Sequence, residues 1–139
     1  MRTTSEEVSR IAAATAPLVV RRLQVGDAAA VARWDAFVDE CPQATFFHRA
    51  GWQRIVAEVF SHPTHFLYAE RAGRIEAVLP LAQVKSLLFG NALVSLPFAV
   101  YGGVAATTSQ AADLLEEEAQ AVARRLGVDH LELRNVHQR

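Results

Sequence analysis

One cysteine, Cys41, stands in 139 residues, so the chain can form no internal disulfide and offers no cysteine-based metal cluster. Such usage fits a reducing compartment, and the expected location is the cytoplasm. Basic and acidic residues nearly cancel, 14 against 15, and no dense Lys/Arg block disturbs the balance. The electrostatic footprint of a duplex nucleic acid or of an anionic membrane is therefore missing. No apolar run approaches the roughly 20 residues a helix needs to cross a bilayer core, so no transmembrane segment is expected. Residues 1–16 carry Arg2 and Arg10 but also Glu6 and Glu7, and lack the apolar centre of a secretory signal. They read as a polar, partly frayed leader. Repeats and low-complexity linkers are also lacking. What the chain does have is apolar surface: 51% of its residues are hydrophobic, which suits one packed domain over residues 17–139.

That apolar content peaks in residues 75–104, IEAVLPLAQVKSLLFGNALVSLPFAVYGGV. Pro80 and Pro97 each interrupt a run of about ten residues, and a proline in a helix interior deletes a hydrogen bond and clashes with the preceding turn. Both runs, 75–84 and 93–101, therefore read as buried strands. Proline cannot donate to a ladder, so the two prolines predict places where pairing lapses and a cleft opens. Gly102 and Gly103 follow the second run and precede a helix, where backbone amides can approach a ligand without side chains in the way.

The flanking segments alternate in type. Residues 18–24, LVVRRLQ, predict a strand closed by Gly26 and Asp27. Asp27 is a helix N-cap candidate, with Val31, Trp34, Phe37 and Val38 on one face and Cys41-Pro42 as the stop. After an aromatic loop, Thr45-Phe46-Phe47-His48, the residues Trp52, Ile55, Val56, Val59 and Phe60 repeat with helical spacing. Trp34, Trp52 and Phe60 are expected in the core. Residues 65–70 predict a strand, joined through Arg71-Ala72-Gly73-Arg74 to Ile75 in an antiparallel hairpin. Thr107, Thr108 and Ser109 supply capping hydroxyls to a helix that buries Leu114, Leu115, Ala119, Val122 and Leu126 and ends at Gly127. Glu116, Glu117 and Glu118 form its solvated face. Residues 130–134, HLELR, alternate as a last strand buried through Leu131 and Leu133. The fold class is α/β (α+β): a mixed, mostly antiparallel sheet flanked by helices. Because that strand lies next to the chain end, its open edge predicts a missing continuation and self-association.

This order resembles the first two thirds of the GNAT acyltransferase fold. The stretches TFFHRAGWQRIV, FSHPTHFLYAERAGRIEAVLPLAQVKSLLFGNALVSLPFAVYGGVA and HLELR more specifically resemble FemAB-type transferases, in the branch associated with the exosortase/PEP-CTERM system. Ser61 and Ala77 depart from that pattern, standing where glycines are expected. The resemblance implies an N-terminal GNAT-like domain, truncated after its last strand, whose C-terminal GNAT-like half is missing. It also implies acyl or aminoacyl transfer, with acyl-CoA or aminoacyl-tRNA as co-substrate and a small-molecule, cell-envelope or exopolysaccharide-related acceptor. On the alternative reading the chain is a non-catalytic half-domain serving as a binding or assembly surface.

Acyl transfer to an amine needs a donor carbonyl near backbone N–H groups and a group that accepts a proton; no triad or metal is required. By the resemblance, Phe98, Tyr101, Gly102 and Gly103 correspond to the splayed strand end and glycine turn that hold the donor. His48 and Arg49, at the start of the second helix, are placed to reach a cleft mouth, and a histidine carries a proton near neutral pH. Helix capping or a satisfied histidine is the plainer role for His48. Lys85 can meet an acceptor phosphate or carboxylate, though a solvated loop lysine is the commoner case. Glu76 is the carboxylate nearest the central strand and the other candidate base. Cys41 has no basic sequence neighbour to activate it.

Overall fold

The computed structural model describes residues 5, 7, 16–58, 63–86, 90–95 and 103–132. Six strands form one sheet in the order β1-β2-β3-β4-β6, with β5 pairing β3 beside that path. The strands are β1 (Val19–Arg22), β2 (Thr64–Arg71), β3 (Arg74–Ser86), β4 (Gly90–Ser95), β5 (Ala105–Ala106) and β6 (His130–Glu132). The helices are α1 (Ala28–Glu40), α2 (Gly51–Glu58) and α3 (Ser109–Leu126), with a 3₁₀ turn at Phe46–His48 before α2. All pairings are antiparallel except β4 with β6. Among the described residues no helix is long and apolar enough to cross a membrane.

Each boundary has a local cause. The Asp27 side chain accepts from the Ala30 N–H at the start of α1, and extended backbone at Cys41 stops that helix before Pro42. Thr108 caps α3 through the Ala111 N–H, and Gly127, left-handed at φ 66°, closes it. The β2–β3 hairpin turns on Ala72 (φ 51°) and Gly73 (φ 78°), the double positive φ of a type I′ turn.

Strand alternation then divides the core. Phe66, Tyr68 and Val78 face α1, where Trp34 stacks on Phe66 at 5.5 Å between ring centroids and meets Tyr68 edge-on at 6.2 Å. Leu67, Ala69, Ala77, Leu79 and Leu81 face α3, against Ala111, Leu115, Ala119 and Val122. Leu114 and Leu126, expected inside, are only half-buried, because the contact stripe of α3 runs through its alanines.

Pro80 does not interrupt the β2–β3 ladder as its sequence context predicts; it pairs with Phe66 in unbroken register. The Phe66 carbonyl accepts from the Leu23 N–H on the far side, so Phe66 and Pro80 form a non-hydrogen-bonded pair and the proline nitrogen faces away from β2. The register slips instead beside Glu70: Ala69 pairs Ala77 and Glu70 pairs Ile75, leaving Glu76 as the extra residue of a bulge. Of the second apolar run, residues 93–95 lie in β4, which begins at Gly90, and residues 96–101 lie outside the described residues. In α2 the apolar spacing holds in part: Val56 is buried and Trp52 packs against the core. Ile55 is 41% exposed and Trp52 half-buried, whereas Gln53 is buried because its amide donates to the Leu23 carbonyl at 2.9 Å. Val59, Phe60, Pro97, Leu133 and most of residues 1–16 lie outside the described residues, as does the expected continuation past the last strand.

Candidate functional site

The outer edge of β3 has two partners. β5 takes Ala77 and Val78, and β4 takes residues 81–86. Between the pairs Val78↔Ala105 and Leu81↔Ser95, β3 contributes only Leu79 and Pro80, while the partner chain spends nine residues, 96–104. Pro80 falls where its missing N–H removes no ladder bond, so the proline marks the place where one partner strand gives way to another. The parallel β4–β6 pair runs toward this division, with Val94 opposite Glu132.

At the other end of β3 the bulge turns Glu76 toward the start of α3. Its Oε2 pairs with Arg71 at 3.1 Å, and its Oε1 accepts from the Thr108 hydroxyl at 3.3 Å. The Thr107 N–H donates to the Glu76 carbonyl at 2.9 Å, and Arg71 also reaches Gln110. Glu76 thus lines an open groove of about 550 Å³ together with Arg33, Cys41, Arg74, Thr107 and Thr108. Arg33 is committed to Glu70 and to the Gly73 carbonyl. The groove brings together hydroxyls, two carboxylates including Glu40, and two guanidiniums, a lining without net charge that suits a polar small molecule.

The loop between α1 and α2 is tied to the segment that enters β5. Gln43 Oε1 accepts from the Ala106 N–H at 3.1 Å. His48 Nδ1 accepts from the Thr45 N–H at 2.9 Å, which leaves the ring proton on Nε2, and that proton is donated to the Gly103 carbonyl at 2.7 Å. Trp34 Nε1 donates to the His48 carbonyl at 2.6 Å. Burial pushes the His48 imidazole below its ordinary 6.5, against the opposing pull of its hydrogen bonds to Gly103 and Thr45.

These contacts revise the sequence expectations residue by residue. His48 does not sit at a cleft mouth as a free base; its ring is buried, both nitrogens are engaged, and it fixes the position of Gly103. Gly103 is itself buried, with its carbonyl spent on His48. Arg49 turns back to Asp39 at 2.7 Å and Asp35 at 3.7 Å. Glu76 is held in the groove wall, and Cys41 is buried beside it. The backbone of Lys85 lies in β3 opposite Asn91. Phe98, Tyr101 and Gly102 lie outside the described residues. Among the described residues no group of three or more His, Cys, Asp or Glu side chains could hold a metal ion. Sequence reading missed the groove because its walls come from α1, the hairpin and the α3 cap. The available signal was Glu76, a charge inside an apolar run.

No protein-family model matches the chain, and no curated protein is significantly similar to it. Among solved structures it is similar to a GNAT family acetyltransferase from Staphylococcus aureus, with a TM-score of 0.58 and 10% sequence identity. The match covers 88% of this chain and 92% of that one. Likeness at that identity establishes the architecture: the chain has a GNAT-like fold, a mixed sheet flanked by helices.

Proposed function

We propose that the chain is an acyl or aminoacyl transferase module of FemAB type, acting in the cytoplasm on a cell-envelope or exopolysaccharide-related acceptor. The observation that carries the transfer reading is the split edge of β3 within a GNAT-like sheet, with the Gly103 carbonyl pinned by His48 beside it. The acetyltransferase likeness supports acyl chemistry, while the FemAB assignment rests on the sequence resemblance alone. In this reading Gly103 and its neighbours Phe98, Tyr101 and Gly102 meet the donor, acyl-CoA or aminoacyl-tRNA. The groove at Glu76, Thr107 and Thr108 takes the polar part of the acceptor, Glu76 is the base candidate, and Lys85 and Arg49 serve anionic groups further out. His48 acts by holding the turn.

Equilibrium dialysis against acetyl-CoA and filter binding of alanyl-tRNA test the proposal on the full chain. Saturable binding of one donor, competed by its unlabelled form, is expected. Binding of neither overturns it.

A second reading, a non-catalytic half-domain that binds a partner such as a C-terminal GNAT-like half, is favoured by one feature. Phe46 is 66% exposed and packs edge-on against half-buried Trp52, with exposed Ile55 on the same helix. Light scattering across concentration separates the two: donor binding by a strict monomer favours the enzyme, association without donor binding favours the surface.

A further inference from the structure

A second cavity, of about 320 Å³, lies on the α3 side of the sheet. Its floor is apolar, made by Val20, Leu67, Val122 and Leu126, and the guanidiniums on this face are those of Arg22 and Arg125, against one carboxylate, Glu118; Arg21 stands opposite Tyr68 and turns its head group to the α1 side, where it meets Glu70. The first groove balances its charges, whereas this one concentrates positive charge in a chain whose net charge is -1. The guanidiniums are only partly committed. Arg22 gives one N–H to the Thr64 carbonyl at 2.7 Å and Arg125 one to Glu118 at 3.1 Å. Each has five N–H donors, so each keeps donors for a ligand.

His65 also lines this cavity. Its Nε2 is shut off from solvent and has no hydrogen-bond partner among the described residues. We propose that this cavity is a binding site for a small organic oxyanion, a carboxylate or phosphate monoester with a short apolar tail, held by Arg22 and Arg125 beside the His65 ring. The guanidiniums meet the oxyanion beside the His65 ring, and the tail lies on Val122 and Leu126. The volume corresponds to about ten waters at ~30 Å³ each, which limits the ligand to a small metabolite.

The proposal fixes the direction of a proton linkage. Burial, and then the charges of Arg22 and Arg125, hold the His65 imidazole below its ordinary 6.5. The charged groups that line the site beside it are Arg22 from β1 and Glu118 and Arg125 from α3. A bound anion offsets the guanidiniums, so it raises the His65 pKa and binds more tightly as pH falls. The test is NMR titration of the His65 ring in the full chain with inorganic phosphate, acetate and butyrate, each against sodium chloride of equal ionic strength. A saturable shift, an upward move of the His65 pKa, and binding at least about tenfold weaker in both Arg125→Gln and Arg22→Gln are expected. Butyrate stronger than acetate identifies a carboxylate with a tail; phosphate stronger than both identifies a phosphate ester. A response that sodium chloride reproduces, or one that survives both substitutions, overturns the proposal and leaves a water-filled cavity.

Discussion

Replacing His48 by Gln tests whether this histidine is a neutral structural pin. Its ring is 1% exposed, and burial depresses its pKa below 6.5. The native state therefore binds fewer protons than the unfolded state, so His48 contributes stability that is present above about pH 6.5 and lost as pH falls toward the depressed folded value. Within that window the loss per group is about 1.4 kcal/mol per pH unit. His65 is depressed in the same direction, so it adds to the loss of stability on the acid side. Gln cannot titrate, and it can replace only part of the pair of bonds to Thr45 and Gly103, so stability at pH 8 should fall by about 1–2 kcal/mol. Urea unfolding between pH 5 and 8, in buffers free of phosphate and carboxylates, measures both effects. The expected outcome is a lower plateau and a shallower acid slope below pH 6.5. Parallel curves for the two proteins would refute the buried, neutral assignment.

Trp34→Ala removes the ring stacked on Phe66 and the donor to the His48 carbonyl, and should cost about 3–5 kcal/mol in chemical unfolding; a loss below about 1 kcal/mol would contradict that core. Gly73→Ala places a Cβ that meets nothing within 4 Å, so any loss is conformational; about 1–2 kcal/mol is expected from its positive φ, and an unchanged midpoint would count against the type I′ turn. Cys41→Ala should leave any transfer activity within a few-fold, since the thiol is buried; a hundredfold loss with the fold intact, about 2.7 kcal/mol, would make it a reacting group.

Local chemistry carried most of the fold. Asp27, Thr108 and Gly127 cap the helices as their residue types require, and the hairpin turn falls on Ala72-Gly73 because the strands on either side alternate in step. The divided strand was only half legible. Proline marks a lost donor, but which edge of β3 loses it depends on the Leu23–Phe66 bond, contributed by a segment more than forty residues away. Periodicity found Val56 on the inner face of α2 but missed Gln53, which is held inside by the Leu23 backbone carbonyl, a partner no sequence window contains. The groove escaped for the same reason: the bulge at Glu76 exists only relative to its partner strand, and Thr107 and Thr108 look like cap residues alone. His48 was noticed as a polar residue beside aromatics, while its role depends on Gly103, 55 positions later.

Hydrogen exchange by mass spectrometry, with and without acetyl-CoA or alanyl-tRNA, tests the transfer reading most directly, because it reports on the proposed donor turn and on the groove at once. The account predicts that one donor protects the amides of residues 101–108, and that His48→Gln weakens this protection without abolishing the fold. Protection confined to other segments, or none with either donor at saturating concentration, would contradict it.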